Sequence, residues 1–373
     1  MHVINTTEIG GGAQHLMLLT HGLAARGVAS SIVTGIDGAR SAALTRQGAP
    51  VISIGPMRLG APGRIAGLLR RARPDLLHLH GSRAGLAGTI AAAWTRVGPV
   101  VYTAHAPSFK RPLPPPLPSV AAMAEAFICS RAAQVIFLNA GDRDEASRRG
   151  VRTDHSVIVA NGIEVESFDP DADRRTELGL EVSSPVVGMV ARLVAGKDPI
   201  TFVRMARLVA DRIPHVRFLL VGDGPMRPAI EREVVALSLS ECMVLTGFRR
   251  DIRELLATVD VVVFPSLWEA LPLGLLEAMA ARRAVVASRL PGHAEVVEDG
   301  VSGLLAPAGE VAAFAARVVQ LCDDPEQRRR LGAAAREVVE RRYGVDRMVG
   351  ETIRVYRGVG LAISDPVATQ ARS

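Results

Sequence analysis

Val259–Glu277 reads VDVVVFPSLWEALPLGLLE. The run Val261–Phe264 has no polar alternation, so it reads as a strand buried on both faces, as in parallel sheets covered by helices. Pro265 and Ser266 end it, a loop carries Glu269, and a helix opens near Pro272 with Glu277 in its first turns. In open α/β sheets, ligands sit at the carboxyl ends of the strands. Helix N-termini at that edge offer unbonded N–H groups and a partial positive charge, which suits phosphate. Glu269 and Glu277 stand eight residues apart. An ionised carboxylate accepts on both oxygens and so suits the vicinal hydroxyls of a sugar. Phosphate, ribose and sugar contacts in one segment point to a nucleotide sugar.

Working outward, the same alternation of short apolar runs and amphipathic stretches fills the chain. Runs at His2–Ile4, Ser30–Gly35, Val51–Ile54, Asp75–His80, Val100–His105, Gln134–Asn139 and Ser156–Asn161 predict one set of strands. Helical patterns such as Ala13–Arg26, Arg64–Arg73, Arg83–Arg96 and Val120–Ala132 lie between them. The pattern restarts with Val186–Arg192, Val216–Asp223, Met243–Phe248, Val259–Phe264, Ala284–Ser288 and Gly303–Ala306, with helices that include Ile200–Arg212 and Pro325–Arg342. Strands separated by helices imply βαβ units and parallel sheets. The fold class is therefore α/β, with two doubly wound Rossmann-like domains facing across a cleft. The polar segment Glu164–Ser184 carries Pro170 and no strand signal and reads as the interdomain linker, or as a surface loop within one larger domain. The expected domains are residues 1–165 on the acceptor side and 166–373 on the nucleotide-sugar side.

The bulk composition narrows the function. At 373 residues, 48% hydrophobic and 22% charged, the chain is an ordinary globular protein of two or three domains. No apolar run reaches the roughly 18 residues of a bilayer span, and the N-terminal residues lack signal-peptide patterning, so a cytoplasmic location is expected. Cys129, Cys242 and Cys322 are scattered without CxxC spacing, which argues for reduced thiols and against a zinc site. The net charge of +6 suits an anionic membrane surface or a phosphorylated substrate, or reflects a plain excess of surface arginine. No basic stretch is interleaved with aromatics, which sets nucleic-acid binding aside. Of the 44 basic residues only Lys110 and Lys197 are lysine. In a chain that uses arginine almost everywhere, a lysine after a buried strand marks a position that requires lysine.

Lys197 is such a residue. Val186–Lys197, VVGMVARLVAGK, places Arg192 and Lys197 five residues apart after a strand end. Both cations are within reach of one diphosphate, and each charge-assisted hydrogen bond to it contributes roughly 1.5–3 kcal/mol; the plainer reading is solvated surface charge. Gly10-Gly11-Gly12 follows the first strand and opens a helix without the GxGxxG spacing, so it is either a cleft-lining loop or a tight turn. Val221–Pro225, VGDGP, is a strand end, a glycine turn carrying Gly222 and a proline that opens a helix, and Asn161 closes the seventh strand; taken alone, both read as turns. His105 ends a strand and is suited to a sugar hydroxyl, whereas His78 and His80 read as structural histidines. Asp142/Asp144 and Asp169/Asp171/Asp173 are not at strand ends and are assigned no metal. Arg111–Ser119, RPLPPPLPS, is expected to be extended polyproline-type backbone, either bordering the acceptor side or forming a rigid surface loop.

Taken in order, these segments resemble the retaining GT-B glycosyltransferases of family 4. The resemblance is carried by GGGAQ, RPDLLHLHG, VVYTAH, VIVANGIEVESF, VVGMVARLVAGKDP, FLLVGDGPMRPAIE, the R-x4-K pair and the E-x7-E element. It implies a metal-independent, retaining transfer from a nucleotide-sugar donor, a UDP- or GDP-sugar, with no other cofactor. Arg192 and Lys197 would hold the diphosphate and Glu277 the ribose. Glu269, with the backbone amides of Leu271, Leu273, Gly274 and Leu275, would contact the transferred sugar and the phosphate. His105 would reach a donor-sugar hydroxyl, and Gly11 and Gly12 would lie near the diphosphate, with Asn161 and Gly222 completing the binding set. The helical pattern at 343–360 would return to the first domain. A glycan, a polyprenyl-linked sugar or a small molecule would accept the sugar, with peripheral contact at the inner face of an anionic membrane. Ala270 stands where the family usually carries glycine, and the proline-rich segment has no family counterpart. A nucleotide-sugar epimerase or phosphorylase of the same architecture, or a non-catalytic sugar-nucleotide-binding protein, are the alternatives.

Overall fold

The computed structural model describes residues 1–105, 107–110, 114, 116–168, 174–181 and 183–363. The chain forms two compact units, the first made of Met1–Gly162 and the segment from Val345 onward, the second of Ile163–Gly344.

The first unit is built on a parallel sheet of β1 (His2–Thr6), β2 (Ile32–Ile36), β3 (Val51–Ser53), β4 (Leu77–His80), β5 (Val100–Ala104), β6 (Gln134–Phe137) and β7 (Ser156–Ile158). Their order is β3-β2-β1-β4-β5-β6-β7. One face packs Ile65, Leu69, Ala84, Ala87 and Ile128 against Val33, Leu79 and Tyr102. On the other, Leu18, Leu19 and Leu23 of the helix Gly11–Ala24 meet Met348, Val349, Ile353 and Tyr356 of the helix Val345–Gly358. The C-terminal helix thus returns to the first unit and closes one face of its sheet.

The second unit repeats the plan with β8 (Val186–Val190), β9 (Arg217–Val221), β10 (Met243–Gly247), β11 (Val261–Phe264), β12 (Ala284–Ser288) and β13 (Leu304–Ala306), in the order β10-β9-β8-β11-β12-β13. Val261 and Val263 enter a core with Phe202, Phe218, Val286 and Phe314, while Val262, pointing the other way, is fully buried as well. That two-sided burial is what the unbroken apolar run encodes. All thirteen strands among the described residues overlap runs expected from the sequence. In each sheet the winding direction reverses once, between β1 and β4 and between β8 and β11. Such reversal points open a crevice at the carboxyl edge.

The units divide at Gly162/Ile163 and again at Gly344/Val345, beside expected bounds of 165/166 with residues 343–360 packing back on the first domain. Two expectations need correction. The segment expected to link the two units belongs to the second: Arg175 pairs with Asp260 at 3.0 Å, and the Arg174 N–H donates to Thr258 Oγ1 at 2.8 Å. Its polarity comes from ion pairs with the sheet's amino edge, not from exposure as a tether; residues 169–173 and 182 lie outside the described residues. The polyproline expectation fails from Leu117 onward, where a helix runs Leu117–Arg131 with Pro118 in its first turn, a position where the missing N–H costs nothing. Residues 111–113 and 115 lie outside the described residues.

Candidate active site

The reversal point of the second unit gathers the loops after β8, β9 and β11. The first two are laced together by backbone hydrogen bonds: Ala191 N–H to Val221 O at 3.0 Å and Leu193 N–H to Asp223 O at 2.9 Å. Gly222 makes this contact possible. It has φ +136°, and a Cβ there would lie 1.9 Å from Ala191 O, so no other residue permits the approach. After β8 the chain tightens into a short turn, Ala195–Lys197. Asp198 then caps the helix Pro199–Ala210 by accepting from the Thr201 N–H at 3.4 Å, and it also accepts from the Thr201 hydroxyl at 2.6 Å. Leu267 N–H donates to Gly196 O at 3.0 Å, and the indole of Trp268 fills the space a Gly196 side chain would need, 2.8 Å from the Cβ position. The β8 and β11 loops are thereby locked against each other.

This lock brings Lys197 to Glu269, whose side chains form an ion pair. Arg192, in the same loop, is exposed and has no ion-pair partner among the described residues. The site thus holds one compensated and one open cation, an arrangement able to receive the negative charge of a diphosphate. Beyond Glu269 the backbone caps at Pro272 and enters the helix Leu273–Ala280. Glu277 is half-buried on that helix, while the Leu271, Leu273 and Leu275 side chains face the core, leaving only their backbone for a ligand. Gly274 is half-exposed over the end of β8, its Cβ position 3.8 Å from Val190 O. The Leu275 amide already donates to Pro272 O at 3.2 Å.

The first unit carries the remaining candidates. Gly11 and Gly12 open the helix after β1, and a Cβ at Gly11 would meet nothing within 4 Å. Internal packing therefore does not demand glycine there, although close approach of a ligand would. His105 directly follows β5 and belongs to a group of five histidines. His2 of β1 stands in register with His78 of β4, and His15 comes from the helix above. His78 is satisfied as a structural residue, 2.7 Å from both Tyr356 Oη and Thr103 Oγ1. His80 contacts His2 and His105, each at 3.1 Å. Asn161 is buried and accepts from His15 Nδ1–H at 2.9 Å, while His15 Nε2 has no hydrogen-bond partner among the described residues. Burial keeps these imidazoles neutral: desolvation pushes His15 down to about 4, and His2, His78, His80 and His105 well below the ordinary value.

Two histidine triads, His2/His78/His80 and His15/His80/His105, have ring nitrogens within 4.8 Å of one another, with no carboxylate among them. Most of these nitrogens already hydrogen-bond one another or a hydroxyl. The Asp142/Asp144 pair is likewise structural: Asp142 forms a buried ion pair with Lys110, and Asp144 pairs with Arg143 at 3.0 Å. Both lysines of the chain are thus matched to carboxylates. Asp169, Asp171 and Asp173 lie outside the described residues.

Sequence reasoning missed His2, His15 and Trp268. His15 had a usable signal: it occupies the apolar stripe His15, Leu19, Leu23, where a polar residue must find a buried partner. Trp268 and His2 had none, since their neighbours are set by sheet order.

Known proteins decide the family. The profile of the glycosyl transferases group 1 matches residues 184–324, and that of Glycosyltransferase Family 4 matches residues 9–167. The alpha-maltose-1-phosphate synthase of Mycolicibacterium smegmatis is 31% identical, over 76% of this chain and 79% of its own. The chain belongs to glycosyltransferase family 4. The Escherichia coli UDP-Gal:alpha-D-GlcNAc-diphosphoundecaprenol alpha-1,3-galactosyltransferase is 29% identical to this transferase, over 69% of the chain and 68% of that enzyme. In fold, the transferase is similar to HepE of Anabaena, solved with UDP and glucose. The TM-score is 0.84 at 22% identity, covering 96% of this chain and 100% of HepE. Two Rossmann-like parallel sheets are the GT-B fold. No helix among the described residues is long and apolar enough to cross a membrane.

Proposed function

We propose that this glycosyltransferase moves a sugar from a UDP- or GDP-sugar to a hydroxyl acceptor, with retention of anomeric configuration and without a metal at the diphosphate. The observation that carries this reading is the Lys197–Glu269 ion pair with Arg192 open in the same loop, at the reversal point of the second sheet. Arg192 and Lys197 neutralise the charge that develops on the departing diphosphate, and Glu269 orients Lys197 and the transferred sugar. Glu277 takes the ribose hydroxyls, and His105 of the first unit takes a hydroxyl of the donor sugar. The acceptor oxygen attacks on the face the diphosphate leaves, and its proton passes to the leaving phosphate oxygen. Catalysis is by positioning and by electrostatic stabilisation of the leaving group.

The acceptor class we favour is a polyprenyl-linked or otherwise membrane-held glycan, reached from the cytoplasm. The net charge of +6 supports this. So does an exposed apolar stripe of Leu117, Val120, Met123 and Phe127 along one face of the helix Leu117–Arg131. A kinship with an enzyme named for a diphosphoundecaprenol-linked sugar points the same way.

A thermal-shift panel of UDP-, GDP- and ADP-sugars identifies the donor, because a ligand that binds only the native state raises its stability. Release of nucleoside diphosphate from that donor, with EDTA present, then tests the reaction. Activity abolished by EDTA and restored by magnesium or manganese would refute it.

A further inference from the structure

Three imidazoles form a line of hydrogen bonds through the first unit to the carboxyl edge of its sheet. Ser30 Oγ lies 3.4 Å from His2 Nε2, His2 Nδ1 lies 3.1 Å from His80 Nε2, and His80 Nδ1 lies 3.1 Å from His105 Nε2. A neutral imidazole has one N–H and one lone pair, so the tautomer of any one ring sets the tautomers of the other two. Two directions satisfy the line. In one, each ring donates toward His105, and the long 3.4 Å contact falls on the lone pair of His2 Nε2. In the other, that long contact falls on a buried N–H, and a poorly bonded buried donor is the rarer and costlier defect. The other neighbours do not interrupt the line: His78 is bonded to Tyr356 and Thr103, and His15 Nδ1 to Asn161.

We propose that His80 is a positioning residue whose Nδ1–H, supplied through His2, holds His105 in its Nδ1–H tautomer, so that His105 offers the donor sugar an N–H and not a lone pair. This rests on the assignment of His105 to the donor sugar made above. The sugar group recognised is therefore one that accepts a hydrogen bond through its oxygen.

Nitrogen-15 NMR of histidine-labelled full-length protein reads which ring nitrogen carries the proton. The wild type is expected to show His105 protonated at Nδ1 and bare at Nε2. His80→Asn keeps an amide N–H near the δ position, and is expected to keep both that tautomer and kcat/KM for the donor near the wild-type values. His80→Gln moves the amide to the ε position. It is expected to give mixed tautomers at His105 and a loss in kcat/KM of about tenfold, the scale of one hydrogen bond. A residue that merely fills space would not separate the two variants. A wild-type His105 protonated at Nε2, or identical His105 spectra in the two variants, overturns the proposal. So does a stoichiometric transition metal on His15, His80 and His105 in protein purified without a histidine tag, because a metal would occupy the lone pairs the line needs. If His80→Gln does not fold, the wild-type and His80→Asn spectra still decide. Mixed tautomers with an unchanged kcat/KM would remove His105 from donor contact and end the positioning role. The transferase reading would survive that result, since it stands on Lys197 and Glu269.

Discussion

Lys197 and Glu269 form an ion pair between the loops that leave β8 and β11, the two strands flanking the reversal point of the second sheet. Their side chains keep 26% and 17% of their exposure, so solvent screens the pair and its contribution to stability is small. Its consequence lies in placement, because Glu269 fixes the ammonium before any donor arrives. Lys197→Ala and Glu269→Ala should each lower kcat by about 10²–10³, the usual loss for a well-placed charge stabiliser. The double variant should lose far less than the product of the two, since the pair acts as a unit. Initial rates of nucleoside diphosphate release test this, and a wild-type rate in either single variant would take both residues out of the site.

The lock behind that pair is steric. Gly222→Ala must place a Cβ against Ala191 O from a φ of +136°, and should destabilise the second unit by at least about 2 kcal/mol. Gly196→Ala meets only the edge of Trp268, which can shift, so its stability loss should be smaller. Its rate loss should be the larger defect, because Trp268 adjoins Glu269. Denaturant melts beside rate measurements separate the two. Equal effects on both quantities in both variants would show that the contact between the loops does not position the charges.

Much of this was legible in the sequence where the signal is local. Val261–Phe264 declares a doubly covered strand, and Arg192, Lys197, Glu269 and Glu277 sit at spacings set by single loops and one helix. The pairing of Lys197 with Glu269 was not legible, since it depends on β8 lying beside β11 with β9 and β10 wound to the other side. The histidine group was hidden for the same reason: His2 meets His78 and His80 only because β1 neighbours β4. The segment mistaken for a linker shows the opposite error. Its charges looked solvated, but Arg175 and Glu177 are partnered by Asp260 and Arg249, far along the chain. The start of the helix at Leu117 was masked by prolines that a first helical turn accommodates.

The histidines make the first unit acid-sensitive. His15 titrates near 6.5 when unfolded but only at about 4 when folded, because burial disfavours its charged form. Between those values the unfolded chain binds more protons, so stability rises with pH. It is full above about pH 6.5 and is lost progressively toward pH 4, by roughly 3 kcal/mol for His15 alone. His2, His78, His80 and His105 are lowered in the same direction and for the same first cause. The first unit should therefore unfold before the second as pH falls from neutrality. Trp94 lies in the first unit and Trp268 in the second, so single-tryptophan variants report each unit separately. Simultaneous loss of both signals would contradict the expectation.

The exposed stripe on the helix Leu117–Arg131 makes a prediction for membrane contact. Leu117, Val120, Met123 and Phe127 fall on one face, and Met123 keeps 71% of its exposure. Arg131 lies over the Phe127 ring, with its guanidinium carbon 5.7 Å from the centroid, so the apolar face has a cation at its edge. Such a face suits the headgroup boundary of an anionic bilayer. Burying one of these side chains contributes about 1.5–3 kcal/mol, so Val120→Glu or Met123→Glu should weaken binding to phosphatidylglycerol vesicles at least about tenfold. Neither residue belongs to the donor site, and donor-dependent release of nucleoside diphosphate in the absence of lipid should stay unchanged. Added salt should weaken vesicle binding of the wild type, because part of the attraction is between charges. Co-sedimentation with vesicles measures all three effects, and equal binding by wild type and both glutamate variants would exclude this helix as the membrane contact.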